Sequence, residues 1–184
     1  MIEAPSSAQL VEAFANTVDV ELGTDDLAAS GELAGWLADR GLLEAGSPLS
    51  AADHELGLRL RAGIREELGV HVGDTPDPDL LLAADGALRE LPLLSTVRRG
   101  TSAALLPAPE LPPARKALAL IAVAWTELVI TGEAARLKRC AEHACAWVFW
   151  DVSKNRSRRW CSMRVCGNRT KARRYAAKHA GTAG

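Results

Sequence analysis

Four cysteines, the only ones among 184 residues, fall between Cys140 and Cys166 as two pairs of identical spacing. They read Cys140-x4-Cys145 and Cys161-x4-Cys166, with fifteen residues between the pairs. Each pair fits one tight turn, and the intervening segment is long enough to double back and bring the turns together. A tetrahedral thiolate site needs that arrangement. Four thiolates select zinc, in a closed structural site with no position open to a substrate. Cys140, Cys145, Cys161 and Cys166 are therefore the expected metal ligands and zinc the expected cofactor. His143 stays outside the set, because four sulfurs already complete the tetrahedron. So short a segment buries too little apolar surface to fold alone, so metal is expected to supply much of its folding free energy. Two disulfides are the competing use of the thiols. The start, Met1-Ile2-Glu3-Ala4-Pro5, has neither the basic residues nor the apolar run of a secretion signal. That points to a reducing, cytoplasmic setting and against disulfides.

Charge gives the cysteine region a direction. From Arg136 to His179 there are thirteen Lys or Arg against two acids, Glu142 and Asp151, a net of +11. The remaining residues carry nine basic and twenty-one acidic side chains, a net of −12, so the overall charge of −1 conceals an acidic body and a basic tail. One-sided positive charge beside a metal knuckle suits a polyanion, bound with steep salt dependence. Arg156, Arg158, Arg159, Arg169, Lys171, Arg173, Arg174 and Lys178 are the candidate DNA contacts. Nucleic acid is the favoured partner.

Within the module, Ala146-Trp147-Val148-Phe149-Trp150 has the composition of a strand. Asp151 to Asn155 is turn-forming, and Arg158-Arg159-Trp160 is the expected returning strand. The aromatic residues are read as a small core over the metal. Gly167 and Asn168 suit unusual backbone angles or a helix cap. Arg169 to His179, free of Gly and Pro, reads as a helix with wide basic faces and an inward side of Ala172, Ala176 and Tyr175. A knuckle, a hairpin and a basic helix can together present one helix to a DNA groove.

Cys166-Gly167-Asn168-Arg169 spells CGNR, and its surroundings closely resemble the CGNR-type zinc finger of bacterial proteins. The resemblance runs through Cys140, Cys145, Phe149, Asp151, Asn155 to Ser157, Arg159 to Met163, Cys166 to Arg169 and Lys171. That family pairs the finger with an N-terminal helical domain called ABATE, and Phe14 to Asp19 is similar to that domain's opening motif. Together the two resemblances cover nearly the whole chain. They imply a stress-induced transcriptional regulator that binds DNA, with an N-terminal domain for sensing a small-molecule effector or for assembly.

The expected fold is mainly α with a small β-hairpin. A helical domain is expected over residues 1–135, and a module of four-cysteine zinc knuckle, hairpin and helix over 136–184. Ser6 or Ser7 is expected to cap a first helix burying Leu10, Val11, Phe14 and Val18, with Asn16 and Thr17 bonding the following loop. Ser30 opens a second helix that ends at Gly41. Ser50 and Asp53 form a capping-box pattern for a third helix, which Gly69 ends. Gly57 and Gly63 within it are suited to close packing, and His54 and Trp36 are read as structural. A short helix over 80–91 is expected to break at Gly86. Leu93 to Val97 and Thr101 to Leu106 read as a hairpin. After the punctuation of Pro107 to Pro113, residues 114–130 form an apolar helix that packs centrally.

No stretch has membrane-spanning length. The chain carries no P-loop, G-x-G-x-x-G, H-E-x-x-H or G-x-S-x-G pattern, and metal ligation would remove its only strong nucleophiles. The expectation is a regulator and not an enzyme. RNA binding or protein docking through the finger, and a small enzyme with a structural zinc tail, stand as the alternatives. One finger reads few base pairs, which makes a homo-oligomer the expected form for specific recognition.

Overall fold

A computed structural model describes residues 3–97 and 105–180. Helix α1 (Ser6–Ala15) follows Pro5, whose extended backbone makes the N-cap. Neither Ser6 nor Ser7 caps it, because both already lie within the helix. Val11 and Phe14 are fully buried. Two short strands come next, β1 (Val18–Asp19) and β2 (Thr24–Asp25), paired antiparallel. Helix α2 (Ser30–Asp39) ends at Arg40, and Gly41 then takes the left-handed conformation, φ +66°, as its position predicts. Half-buried Trp36 packs against Phe14 at 5.5 Å between ring centroids, and the Arg40 guanidinium covers its other side at 3.8 Å.

Helix α3 (Ala51–Val70) is the longest element. Its start is the predicted capping box: Ser50 Oγ accepts from the Asp53 amide at 3.1 Å, and Asp53 Oδ2 accepts from the Ser50 amide at 3.3 Å. Arg115 secures the same carboxylate, 2.9 Å away. Gly69 does not end α3. It lies in the last turn, where the Arg139 guanidinium passes so closely that a Cβ would meet it at 2.6 Å. Helix α4 (Pro78–Arg89) begins with Asp77 as cap and Pro78 at its first position, and it runs through Gly86 without a break. The backbone bonds of α4 need no side chain at Gly86, so the residue costs propensity without ending the helix. A Cβ on Gly63 would stand 2.1 Å from that of Ala84, so α3 and α4 approach through a glycine contact.

Strands β3 (Leu93–Ser95) and β4 (Leu105–Pro107) pair antiparallel with Leu94 opposite Leu106. The expected hairpin is present, although its predicted connection, residues 98–100, and the first residues of its predicted second strand, 101–104, lie outside the described residues. Helix α5 (Pro113–Thr131) starts on Pro113 and ends at Gly132, φ +71°. Leu118, Ile121 and Leu128 are buried against α1 and α3, each worth about 1.5–3 kcal/mol in the transfer of apolar surface.

The last sheet departs from expectation. Strand β6 (Val148–Trp150) pairs antiparallel with β5 (Leu137–Arg139), Lys138 opposite Phe149, and not with Arg158-Arg159-Trp160. The hairpin therefore encloses the first cysteine pair. Bonds from the Cys140 amide to Trp147 O, 2.8 Å, and from the Asp151 amide to Arg136 O, 2.7 Å, lengthen the ladder at both ends. The segment 158–160 contributes one backbone bond alongside, from the Ala141 amide to Arg159 O at 2.8 Å. Leu137, Val148 and Trp150 enter the same hydrophobic core as α1, α3 and α5. Only Phe149 of the strand turns toward the cysteines. Alternation along a strand places its neighbours on opposite faces, so β6 serves two cores at once.

Candidate metal centre and basic helix

The first cysteine pair lies on a turn closed by amides of Cys145 and Ala146, both donating to Glu142 O at 2.8 and 2.9 Å. Ala146 leaves the turn at φ +48°, unusual for a residue with a Cβ, and its carbonyl accepts from the buried Arg65 guanidinium of α3 at 3.0 Å. A wide π-type turn, Met163–Gly167, follows Cys161 and carries Cys166, and it is closed by the Gly167 amide to Ser162 O at 3.1 Å. Gly167 does not adopt the unusual angles expected of it. A Cβ there would stand 2.4 Å from Sδ of the flexible, exposed Met163 side chain.

These two turns bring all four Sγ atoms within 4.8 Å of one another. Cys145 to Cys161 is 3.7 Å and Cys161 to Cys166 is 3.6 Å. A regular tetrahedron with Zn–S bonds of about 2.3 Å has sulfur–sulfur edges of about 3.8 Å, so the cluster has the size of a zinc site. Cys140 and Cys166 are buried and the other two half-buried. Burial, followed by the charge of Cys140, raises the pKa of Cys161, and burial pushes that of Cys166 up to about 12 against the lowering effect of its bond with Cys161. Thiolates packed this closely repel one another, and a bound divalent metal offsets that repulsion. His143 is exposed and faces Asp74, 3.8 Å away.

A buried ion pair braces the centre from behind. Asp151 is fully buried, and Lys138 of β5, which bonds it, is only 3% exposed. Lys138 Nζ donates to Asp151 Oδ2 at 2.8 Å, to Arg158 O at 3.0 Å and to Arg156 O. Asp151 also accepts from the amides of Ser153 and Arg158, each at 2.9 Å. Burial alone would raise its pKa, but Lys138 and these amides outweigh burial and hold it at about 2. The returning segment 156–158 is thus shaped by a lysine rather than by a strand ladder.

Glu142 plays the matching part for helix α6 (Asn168–Ala180). Its carboxylate, fully buried, accepts from Thr170 Oγ1 at 3.1 Å and from the Arg173 guanidinium. Burial pushes this pKa up, and the bonds from Arg173, Thr170 and the Ala144 amide bring it below the ordinary carboxylate range. Trp160 Nε1 donates to the same Thr170 hydroxyl at 3.2 Å. The root of α6 is therefore pinned to both cysteine turns. Beyond Thr170 the helix leaves the body: residues 171–179 are exposed throughout, and Tyr175, 68% exposed, stacks on His179. The expected inward side of Ala172, Tyr175 and Ala176 does not exist.

The candidate DNA contacts divide by what holds them. Arg158 is structural: its guanidinium lies over the Phe149 ring at 4.8 Å and donates to Cys161 O at 2.7 Å. Arg156, at φ +51°, donates to Gly132 O at 3.0 Å and lies 3.5 Å from Glu133. Arg169 pairs with Glu21 of the β1–β2 loop at 2.9 Å, and Arg173 with Glu142. Arg159, Lys171, Arg174 and Lys178 are exposed.

Sequence reasoning missed the residues that join the module to the helices. Asn16 donates to Val148 O at 2.9 Å and accepts from the Val148 amide at 2.8 Å, so its amide group pairs with β6 like one more strand residue. Its expected bonds were local; the partner is 132 positions away. His71 Nδ1 meets Leu137 O at 2.7 Å, and Arg139 is held by Glu66 and by Asp74. A short polar residue directly after an amphipathic helix was the available signal for Asn16. Nothing local marks Arg65 or Arg139 as long-range anchors.

A four-sulfur cluster enclosed by two x4 turns, with a helix rooted on the second, defines a zinc-finger module. Residues 136–179 match the CGNR zinc finger, and residues 8–132 match ABATE, described as a putative stress-induced transcription regulator. The chain belongs to the ABATE family, carries a CGNR zinc finger after that domain, and binds zinc. Among curated proteins none matches it. No helix among the described residues is long and apolar enough to cross a membrane.

Proposed function

We propose that this protein is a zinc-dependent regulator that binds double-stranded DNA through α6, with Cys140, Cys145, Cys161 and Cys166 as the zinc ligands. The observation that carries this reading is the last helix itself. It is basic, exposed over residues 171–179, and rooted through Thr170 and Arg173 on the cysteine turns. A helix built for packing would keep an apolar side, whereas a helix entering a groove needs all its surface available. Lys171, Arg174 and Lys178 are the proposed phosphate contacts, with Arg159 beside them. Arg169 joins once DNA phosphate displaces Glu21, Arg173 stays on Glu142 as part of the root, and Arg156 and Arg158 shape the module. Residues 1–135 form the proposed sensing or assembly domain and 136–184 the DNA-binding one. One such helix spans few base pairs, so operator specificity calls for a second copy of the chain.

The test is the salt slope of duplex binding, measured by fluorescence anisotropy on zinc-loaded full-length protein. Each lost phosphate contact lowers the slope of log K against log salt by about 0.9. The Lys171→Ala/Arg174→Ala double variant should therefore lose roughly 1.8 from the slope. An unchanged slope would remove α6 from the interface.

A further inference from the structure

Helices α3, α4 and α5 enclose a cleft of about 270 Å³ that the zinc module and α6 do not use. Its walls include Ile64, Leu81, Leu88 and the half-buried indole of Trp125, and Glu67 and Asp85 also line it. Three carboxylates on or beside these helices are occupied, Asp53 by Arg115, Glu66 by Arg139 and Glu90 by Arg59 and Arg115, whereas among the described residues Glu55, Asp79 and Glu127 are not. No hydrogen bond or ion pair engages Glu67 or Asp85 among the described residues. The Gly63 contact fixes how near α3 and α4 come, and both helices are capped at their starts.

An apolar chamber with an aromatic wall and two unpaired carboxylates is complementary to one class of ligand. We propose that this cleft binds a small organic cation, with its ammonium group between Glu67 and Asp85 and its apolar body against Trp125. The volume, just under the usual range of roughly 300–1,000 Å³ for ligand pockets, limits the body to about one ring with a short arm. The indole offers the apolar body a broad aromatic surface, and the carboxylates reject anions of the same shape. The site shares a turn of α3 with the contacts that grip the zinc module. Glu67 follows Arg65, which holds Ala146 O, and Glu66, which holds Arg139.

The experiment uses zinc-loaded full-length protein and three probes of one shape: benzylammonium, benzyl alcohol and benzoate. The readout is the indole N–H signal of Trp125 in a nitrogen-15 correlation spectrum, assigned with Trp125→Phe. Benzylammonium should move this signal at millimolar concentration, at least about tenfold more tightly than benzyl alcohol, and benzoate should leave it unmoved. In Glu67→Gln/Asp85→Asn, checked for parental zinc content and helicity, the preference for the ammonium over the alcohol should vanish. Equal binding of the alcohol by the parent protein, an ammonium preference that survives the double variant, or no movement with benzylammonium would each overturn the assignment.

Discussion

Replacing Asp151 with Asn tests the support of the metal module more sharply than replacing a cysteine, because every ligand stays in place. The Asp151 carboxylate is buried and accepts from Lys138 Nζ and from the Ser153 and Arg158 amides. Asn keeps the size of the side chain but removes the charge and turns an NH2 group toward donors. Lys138 is then left as a buried ammonium whose remaining partners are the carbonyls of Arg156 and Arg158. Removing one member of a buried pair costs about 3–5 kcal/mol, far more than an exposed pair of the same geometry would. With a urea m-value of about 2 kcal/mol/M for a chain of this size, the midpoint should fall by about 1.5–2.5 M. Both proteins must be measured by circular dichroism at the same excess of free zinc, because metal bound to the folded state adds its own stability. The pKa of Asp151 is lowered on folding, so its contribution is complete above about pH 4 and fades as the pH falls toward 2. The difference between parent and variant should close over that window. A midpoint within about 0.25 M of the parent at pH 7 would refute the claim that this pair holds segment 156–158 in place.

Other outcomes follow from the same contacts. Stripping the metal should release the two cysteine turns and α6 while the β5–β6 hairpin stays protected, since Leu137, Val148 and Trp150 belong to the helical core. Hydrogen exchange measured peptide by peptide checks this, and loss of protection across α3 and α5 as well would contradict it. Gly63→Ala should destabilise by about 1–3 kcal/mol despite gaining up to about 1 kcal/mol of helix propensity, because its Cβ has no room beside Ala84. Thermal unfolding decides the sign. Asn16→Ala should cost about 1–3 kcal/mol through the two unsatisfied groups it leaves on Val148, and should speed exchange of the Val148 amide selectively.

Local chemistry made much of this molecule readable. The Ser50–Asp53 box, Gly41 and Gly132 beyond their helices, and Pro113 at the head of α5 each act within one turn of chain. Their backbone consequences follow from the residues alone. The cysteine spacing was legible for the same reason, since two identical x4 turns have few uses besides one metal. Pairing was harder to read. Leu137-Lys138-Arg139 does not look like a buried strand, because its middle residue is a lysine whose burial depends on Asp151, thirteen positions on. The aromatic run Trp147 to Trp150 did look like one, and its nearest polar neighbours suggested the wrong partner. The basic helix was placed correctly, but its apolar residues were assigned a core that the fold does not provide. Buried arginines at 61 and 65 were equally invisible. One grips Asp25 through both carboxylate oxygens and the other grips two backbone carbonyls, and both depend on elements far away in sequence.

The central claim is that zinc orders a DNA-binding helix. Its most direct test titrates full-length protein onto a random-sequence duplex over a range of salt, with and without a zinc chelator. The account predicts binding that weakens steeply and linearly on logarithmic axes, is abolished by chelation and returns when zinc is restored. Binding that survives chelation unchanged, or no binding by the zinc-loaded protein even at low salt, would contradict it.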